Sequence, residues 1–213
     1  MSKRLPFLLA AIAVLAMLAT IALRWQRAAP VDAPALQAVT LFPQPRVLPG
    51  FNLRQSDGTA LVPGELKGHW TLVFLGFTHC PDVCPTTLAQ LAQAQKLWRA
   101  LPDSTRPRLL FVSVDPERDT PDRIGEYAHG FDPDTLAATA DVPALEAFAK
   151  SLSLVFAKAP APEGVPADQY SVDHSAAMAV LDPQARMAGV IQPPLDPQAI
   201  AADMAKLTGM PRR

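Results

Sequence analysis

Apolar positions fall into two continuous runs and several helical stripes, and these set the frame of the chain. Residues 71–77 (TLVFLGF) are apolar almost without interruption, as a strand covered on both faces must be. Residues 108–115 (RLLFVSVD) form a second run, rich in β-branched and apolar positions. Between them Leu88, Leu91, Trp98 and Leu101 recur at helical spacing and predict a helix that begins after Pro85. The polar stretch PERDTPDRIGEYAHGF that follows the second run reads as a loop and a short helix, with Pro121 near the helix start. Residues 136–139 predict a short strand, and Asp141 caps a helix carrying Leu145, Phe148 and Leu152 on one face.

Upstream of this block, residues 51–61 read as a hairpin turning at Asp57-Gly58. Downstream, residues 155–158 predict a strand and the proline-rich residues 159–166 a loop. Residues 171–181 and 188–192 predict an antiparallel pair around the Asp182-Pro183 turn. The last helix is punctuated at both ends: Asp196 as N-cap, Pro197 in the first turn, Gly209 as stop, with Ile200, Met204 and Leu207 along one face. Strands and helices alternate first, and a hairpin and a helix finish the chain. The fold class is therefore α/β, compatible with a thioredoxin-like fold, a central mixed sheet flanked by helices.

The N-terminus follows a different pattern. After Lys3 and Arg4, residues 5–23 carry no charge. As a helix this run would be roughly 28 Å long, close to the roughly 30 Å of a bilayer core. Cleaved signal peptides have shorter apolar regions of about 7–15 residues and a small-residue cleavage site, and no convincing site is present. Trp25 sits where an interfacial aromatic belongs. Residues 1–27 are thus expected to be a retained membrane anchor with its basic end in the cytoplasm. Residues 28–50 carry Pro30, Pro34, Pro43, Pro45 and Pro49 with little periodicity, and predict a semi-rigid linker reaching on the order of 70 Å when extended. The folded domain is expected over residues 51–209, with residues 210–213 as a tail. The chain is nearly neutral, with 19 basic and 20 acidic residues, and shows no basic stripe interleaved with aromatics; nucleic acid is excluded as an expected partner.

Chemistry enters at the end of the first apolar run, where the two cysteines of the chain, Cys80 and Cys84, stand in the sequence THCPDVCP. On a helix the i, i+4 spacing places both thiols on one face, and a helix N-terminus favours the thiolate. Both are therefore expected to be exposed and reactive. Three readings stay open. A plain disulfide would close a five-residue loop and contribute only about 2 kcal/mol. A dithiol redox pair more often has two intervening residues, where this chain has three. A soft-metal site suits two thiolates and selects Cu(I) or zinc, and Cu(I) accepts two or three ligands where structural zinc usually takes four. Among the histidines, His79 neighbours Cys80 but strand alternation points it away; His69 reads as a surface residue and His129 as a helix C-terminal one. His174 lies on a strand or its rim and nothing local singles it out.

Three motifs, GFTHCPDVCP, VSVDPERDTP and YSVDHSAAMAVLDP, occur in the order and spacing of the Sco/SenC family of copper-binding assembly factors, which residues 51–209 resemble throughout. The resemblance implies a thioredoxin-like domain that binds copper through Cys80, Cys84 and His174, with Cu(I) the expected ion and Cu(II) also suited to the imidazole. It implies a role in assembling the binuclear copper centre of cytochrome c oxidase subunit II. That role is either delivery of the metal or, as a thiol–disulfide oxidoreductase using Cys80 and Cys84, reduction of the target's cysteines. It further implies an upstream periplasmic copper donor, and an address at the bacterial inner membrane as a single-pass protein with the C-terminal domain in the periplasm. The shared loop holding Asp115, Glu117, Arg118 and Asp119 is expected either to dock a partner or to brace itself through internal ion pairs. The DPQAR turn departs from the family in lacking its usual glycine.

Overall fold

A computed structural model describes residues 13, 15–20 and 35–209 of the 213. The chain divides into two units, Met1–Ala35 and Leu36–Arg213. In the first, residues 13 and 15–20 are helical, and the rest of the expected anchor lies outside the described residues. Among the described residues no helix is long and apolar enough to cross a membrane. Residues 28–34 of the expected linker and the tail at 210–213 also lie outside them.

The second unit is built around β4 (Thr71–Gly76) and β5 (Arg108–Ser113). Every residue of β4 and all but the first of β5 are buried, as two continuous apolar runs require. The two strands run parallel, in register from Thr71 against Arg108 to Gly76 against Ser113. The connection between them is α1 (Val83–Trp98), which buries Leu88, Leu91 and Trp98 along the predicted stripe. After α2 (Pro121–His129), β6 (Leu136–Thr139) joins β5, again parallel. Antiparallel strands flank this trio. β9 (Met178–Leu181) and β10 (Arg186–Ile191) extend it beyond β4, and the hairpin β2 (Leu53–Gln55) and β3 (Ala60–Leu61) extends it beyond β6. α3 (Val142–Ser151) and α4 (Pro197–Thr208) are capped by Asp141 and Asp196, and α4 packs on α1. The β9–β10 turn forms without a glycine: Ala185 takes φ 59°, while the Asp182 carboxylate accepts from the Gln184 and Arg186 backbone N–H groups and the Arg186 guanidinium.

Two elements differ from the sequence expectation. First, the stretch expected as linker contains β1 (Val39–Val47), which pairs antiparallel with β10 as an edge strand. Its prolines obscured it. Pro43 and Pro45 fall where the register shifts between Leu41 and Arg46, and prolines are tolerated at such irregularities on an edge. The folded unit therefore begins near Leu36. Its start is held by Asp203 of α4, fully buried, whose carboxylate accepts from the backbone N–H groups of Gln37, Ala38 and Val39 at 2.7–3.1 Å. Second, residues 171–181 are not one strand. β8 (Ser171–His174) pairs with β7 (Phe156–Ala159) in a separate two-stranded ribbon, and only β9 enters the main sheet. Asp173, His174 and Ser175 cannot lie in a sheet centre covered on both faces, so the chain steps out of it there, fastened by Ser175 N–H to the Val155 carbonyl (2.9 Å).

Replacing Asp203 with alanine leaves three backbone donors without their acceptor. The expected result is a loss of about 2–4 kcal/mol in unfolding free energy, read by chemical denaturation, with secondary structure preserved under native conditions.

Candidate metal centre

The site forms where β4 ends. Phe77 is buried, residues 78–82 form a loop, and α1 begins at Val83. Only Cys84 is therefore helical; Cys80 lies in the loop ahead of α1, which corrects the picture of two thiols on one helix face. The Cys84 backbone N–H donates to Cys80 Sγ at 3.3 Å, so the helix N-terminus serves the loop thiol. Cys84 itself is fully buried. Burial, reinforced by Cys80 beside it, pushes its thiol far above the ordinary range. The expectation of two exposed cysteines fails for Cys84, and Cys80 is half-buried. Gly76 makes room for the inner thiol: a Cβ there would lie 2.8 Å from the Phe111 ring and 3.1 Å from Cys84 Sγ.

His174 arrives by register. β9 pairs antiparallel with the first half of β4, Thr71 against Leu181 to Val73 against Ala179. The residues preceding β9 must then run toward the C-terminal end of β4, where the cysteines are. The imidazole packs against the edges of Phe74 and Phe77, with ring centroids at 5.8 and 6.2 Å. Its Nε2 lies 3.3 Å from Cys84 Sγ, across ninety residues of sequence. Its Nδ1 lies 3.1 Å from the Ser175 carbonyl, which can only accept; Nδ1 thus carries the proton and Nε2 turns a lone pair toward the thiols. Burial lowers the His174 pKa, opposed by the Ser175 bond and the Asp173 charge, and this keeps the ring neutral as a metal ligand must be. The structure brings Cys80 and His174 to one groove, with the buried Cys84 in reach of both through its backbone N–H and its thiol. The other histidines are elsewhere. His69 bonds the Arg106 carbonyl, His79 faces Asp119 and Arg123, and His129 is exposed at the end of α2.

The loop after β5 braces both halves of the site. Buried Asp119 accepts from Thr78 N–H (2.9 Å), Thr78 Oγ1 and Ser113 Oγ (both 2.5 Å), fixing the start of the cysteine loop. Arg118 donates to Asp115 (2.5 Å) and to the carbonyls of Asp168 (3.2 Å) and Tyr170 (3.0 Å), fixing the approach to β8. Its guanidinium lies 3.6 Å from the Tyr170 ring centre and 5.8 Å from that of Phe77. His79, Asp115 and Asp119 present potential ligand atoms within 4.8 Å of one another, but the two carboxylates are already engaged by Thr78, Ser113, Arg118 and Tyr170. Of the two roles left open for this loop, the brace accounts for Asp115, Arg118 and Asp119. Sequence reasoning missed Phe77, Thr78, Tyr170 and Gly76 as supports. Their signal was position alone, each falling inside or beside one of the three motifs.

Two thiols and an imidazole meet at the C-terminal end of β4 in a thioredoxin-like domain with a mixed sheet, a donor set that suits a soft metal. The chain belongs to the SCO1/SenC family, whose model matches residues 41–209. It is 35% identical over 159 residues to a Stutzerimonas stutzeri protein named as a candidate copper-binding protein, covering 74% of each chain. Mitochondrial relatives are longer, and the chain spans 49% of the bovine SCO2 homolog. Bradyrhizobium japonicum ScoI, solved with copper bound, superposes with a TM-score of 0.66 at 32% identity, over 76% of this chain and 99% of that one. The fold is shared with BsSco, described as a member of the Sco family of cytochrome c oxidase assembly proteins (TM-score 0.60, 21% identity, 82% of this chain and 100% of that one).

The unequal burial of the thiols gives a direct test. In the reduced, metal-free protein, iodoacetamide near neutral pH should modify Cys80 at least about tenfold faster than Cys84, as read by peptide mass spectrometry.

Proposed function

We propose that this chain is a copper chaperone: reduced Cys80 and Cys84 and the Nε2 atom of His174 hold one Cu(I), which passes to the binuclear copper centre of cytochrome c oxidase subunit II. The observation that carries the reading is the 3.3 Å approach of His174 Nε2 to Cys84 Sγ, with Nδ1 committed to a carbonyl. Solved relatives with copper bound support the choice of metal. Binding displaces the protons of both thiols, so uptake of one ion releases up to two protons and strengthens with pH. The buried Cys84 gives up its proton at the greater cost, and the ion's charge compensates the thiolate that remains. His174 needs no deprotonation, because burial already holds it neutral. Oxidation of the pair to a disulfide removes both thiolate ligands, so metal loading and disulfide formation exclude each other. A resident Cu(II) state with the same ligands is part of this reading, since imidazole suits that ion.

A second reading has its own observation. Cys80, the more accessible of the two cysteines, lies just ahead of α1 with the Cys84 N–H aimed at its Sγ, a placement that suits an attacking thiol. On this reading the chain is a thiol–disulfide oxidoreductase that keeps the target's copper-ligand cysteines reduced. In either case residues 5–23 would anchor the chain in the bacterial inner membrane. The domain would then stand in the periplasm on the segment between that run and β1, receiving copper from an upstream periplasmic donor. The apolar run and its flanking Lys3 and Arg4 support that address.

Titration of the reduced chain with Cu(I) should load one ion. Cys80→Ser/Cys84→Ser should abolish tight binding, and His174→Ala should weaken it about 10-fold or more while leaving most dithiol exchange intact. Mixing the loaded chain with the apo copper-centre domain of subunit II should move the metal without oxidising thiols. Equal binding by the double cysteine variant refutes the site, and thiol oxidation without metal transfer selects the oxidoreductase.

A further inference from the structure

The mouth of the site has a composition that metal binding alone does not call for. A groove of about 350 Å3 opens over Cys80 and His174. Its walls include apolar Pro81, Val83 and Ala176 and the side chains of Asp82 and Asp173. Val83 is 53% exposed although it sits beside the buried Cys84. Asp82 and Asp173 are both exposed, and among the described residues neither makes an ion pair; Asp82 accepts only a long bond from Thr86 Oγ1 at 3.4 Å. No lysine or arginine among the described residues lines the groove. Arg123, in the first turn of α2, is turned onto His79 and is not part of the lining.

We propose that this groove docks a cationic, cysteine-bearing segment of a partner protein, one that carries lysine or arginine beside the thiols that take the metal. The inference deepens the copper reading above and rests on it. Two thiolates, one cuprous ion and a neutral imidazole leave the loaded site with one net negative charge, and the two free carboxylates bring the face to three. Incoming thiolates are themselves negative, so a neutral or acidic segment is repelled at the distances where ligand exchange starts. Cations beside the thiols reverse the sign of that encounter and raise its rate, while Pro81, Val83 and Ala176 receive the apolar part of the segment. In the exchange two partner thiols lose protons, Cys80 and Cys84 take two up, and copper remains Cu(I), so no electron changes hands.

The test uses two synthetic dithiol peptides that share one cysteine pair and differ in flanks of lysine or glutamate. The full chain, loaded anaerobically with Cu(I), is mixed with each at about 20 mM and about 500 mM salt, and metal transfer is timed. The lysine peptide should take copper at least about tenfold faster at low salt, with the advantage shrinking toward unity at high salt. Lysine flanks also ease ionisation of the peptide's own thiols, so the comparison is repeated with Asp82→Asn/Asp173→Asn. That variant should still load one Cu(I) and should lose most of the preference. Equal rates for the two peptides, faster transfer to the glutamate peptide, or an undiminished preference in the variant overturns the docking proposal and leaves the copper site standing. Failure of the unmodified chain to load Cu(I) defeats the copper reading itself.

Discussion

Three chain segments must end at one point for this site to exist, and the pairing of β4 with its two neighbours is what makes them do so. On one side β5 runs parallel to β4 and delivers the Asp115–Asp119 loop to the same end of the sheet. On the other, β9 runs antiparallel and brings in the residues that precede it, His174 among them. The strand itself ends at a glycine, which lets a buried thiol sit against its backbone. Strand direction alone explains why residues ninety positions apart meet.

The loop between β5 and α2 converts that proximity into fixed geometry. Asp119 holds the chain just ahead of Cys80 and Arg118 holds the chain just ahead of β8, so one short segment grips both the cysteine arm and the histidine arm. Its Arg118–Asp115 pair is sheltered, which sets it apart from surface pairs of little consequence. The two thiols inside this frame are chemically unequal. One is presented to the groove with a backbone N–H for its anion; the other is sealed in the core, where only a metal ion or a proton can balance its charge.

Much of this was legible in the residues. The two apolar runs, the α1 stripe and the capped final helix follow from periodicity and punctuation. The family motifs brought Cys80, Cys84 and His174 together where local pattern left His174 undistinguished. What stayed hidden depended on long-range partners. β1 was masked by Pro43 and Pro45, because the tolerance of an edge strand for proline shows only once β10 is beside it. The break after His174 looked like a continuous strand, because alternation cannot tell which of two sheets a strand will join. The burial of Cys84 was missed for a similar reason. Helix position predicted an eased thiolate, whereas packing beside Gly76 in the hydrophobic core removed the water that would have solvated it.

The separation of the ligands along the chain has one more consequence. Residues 80, 84 and 174 converge only in the folded state, so an ion held there binds the native chain and has no comparable site in the unfolded one. A bound ion is then also a folding ligand, and the free energy that retains it is added to the stability of the domain. Surrendering the ion returns the protein to its intrinsic stability, in which a larger share of molecules is open to proteolysis at any moment. On the proposed site, the loaded and emptied forms would differ in lifetime as well as in content, and turnover would follow copper supply with no separate regulatory site.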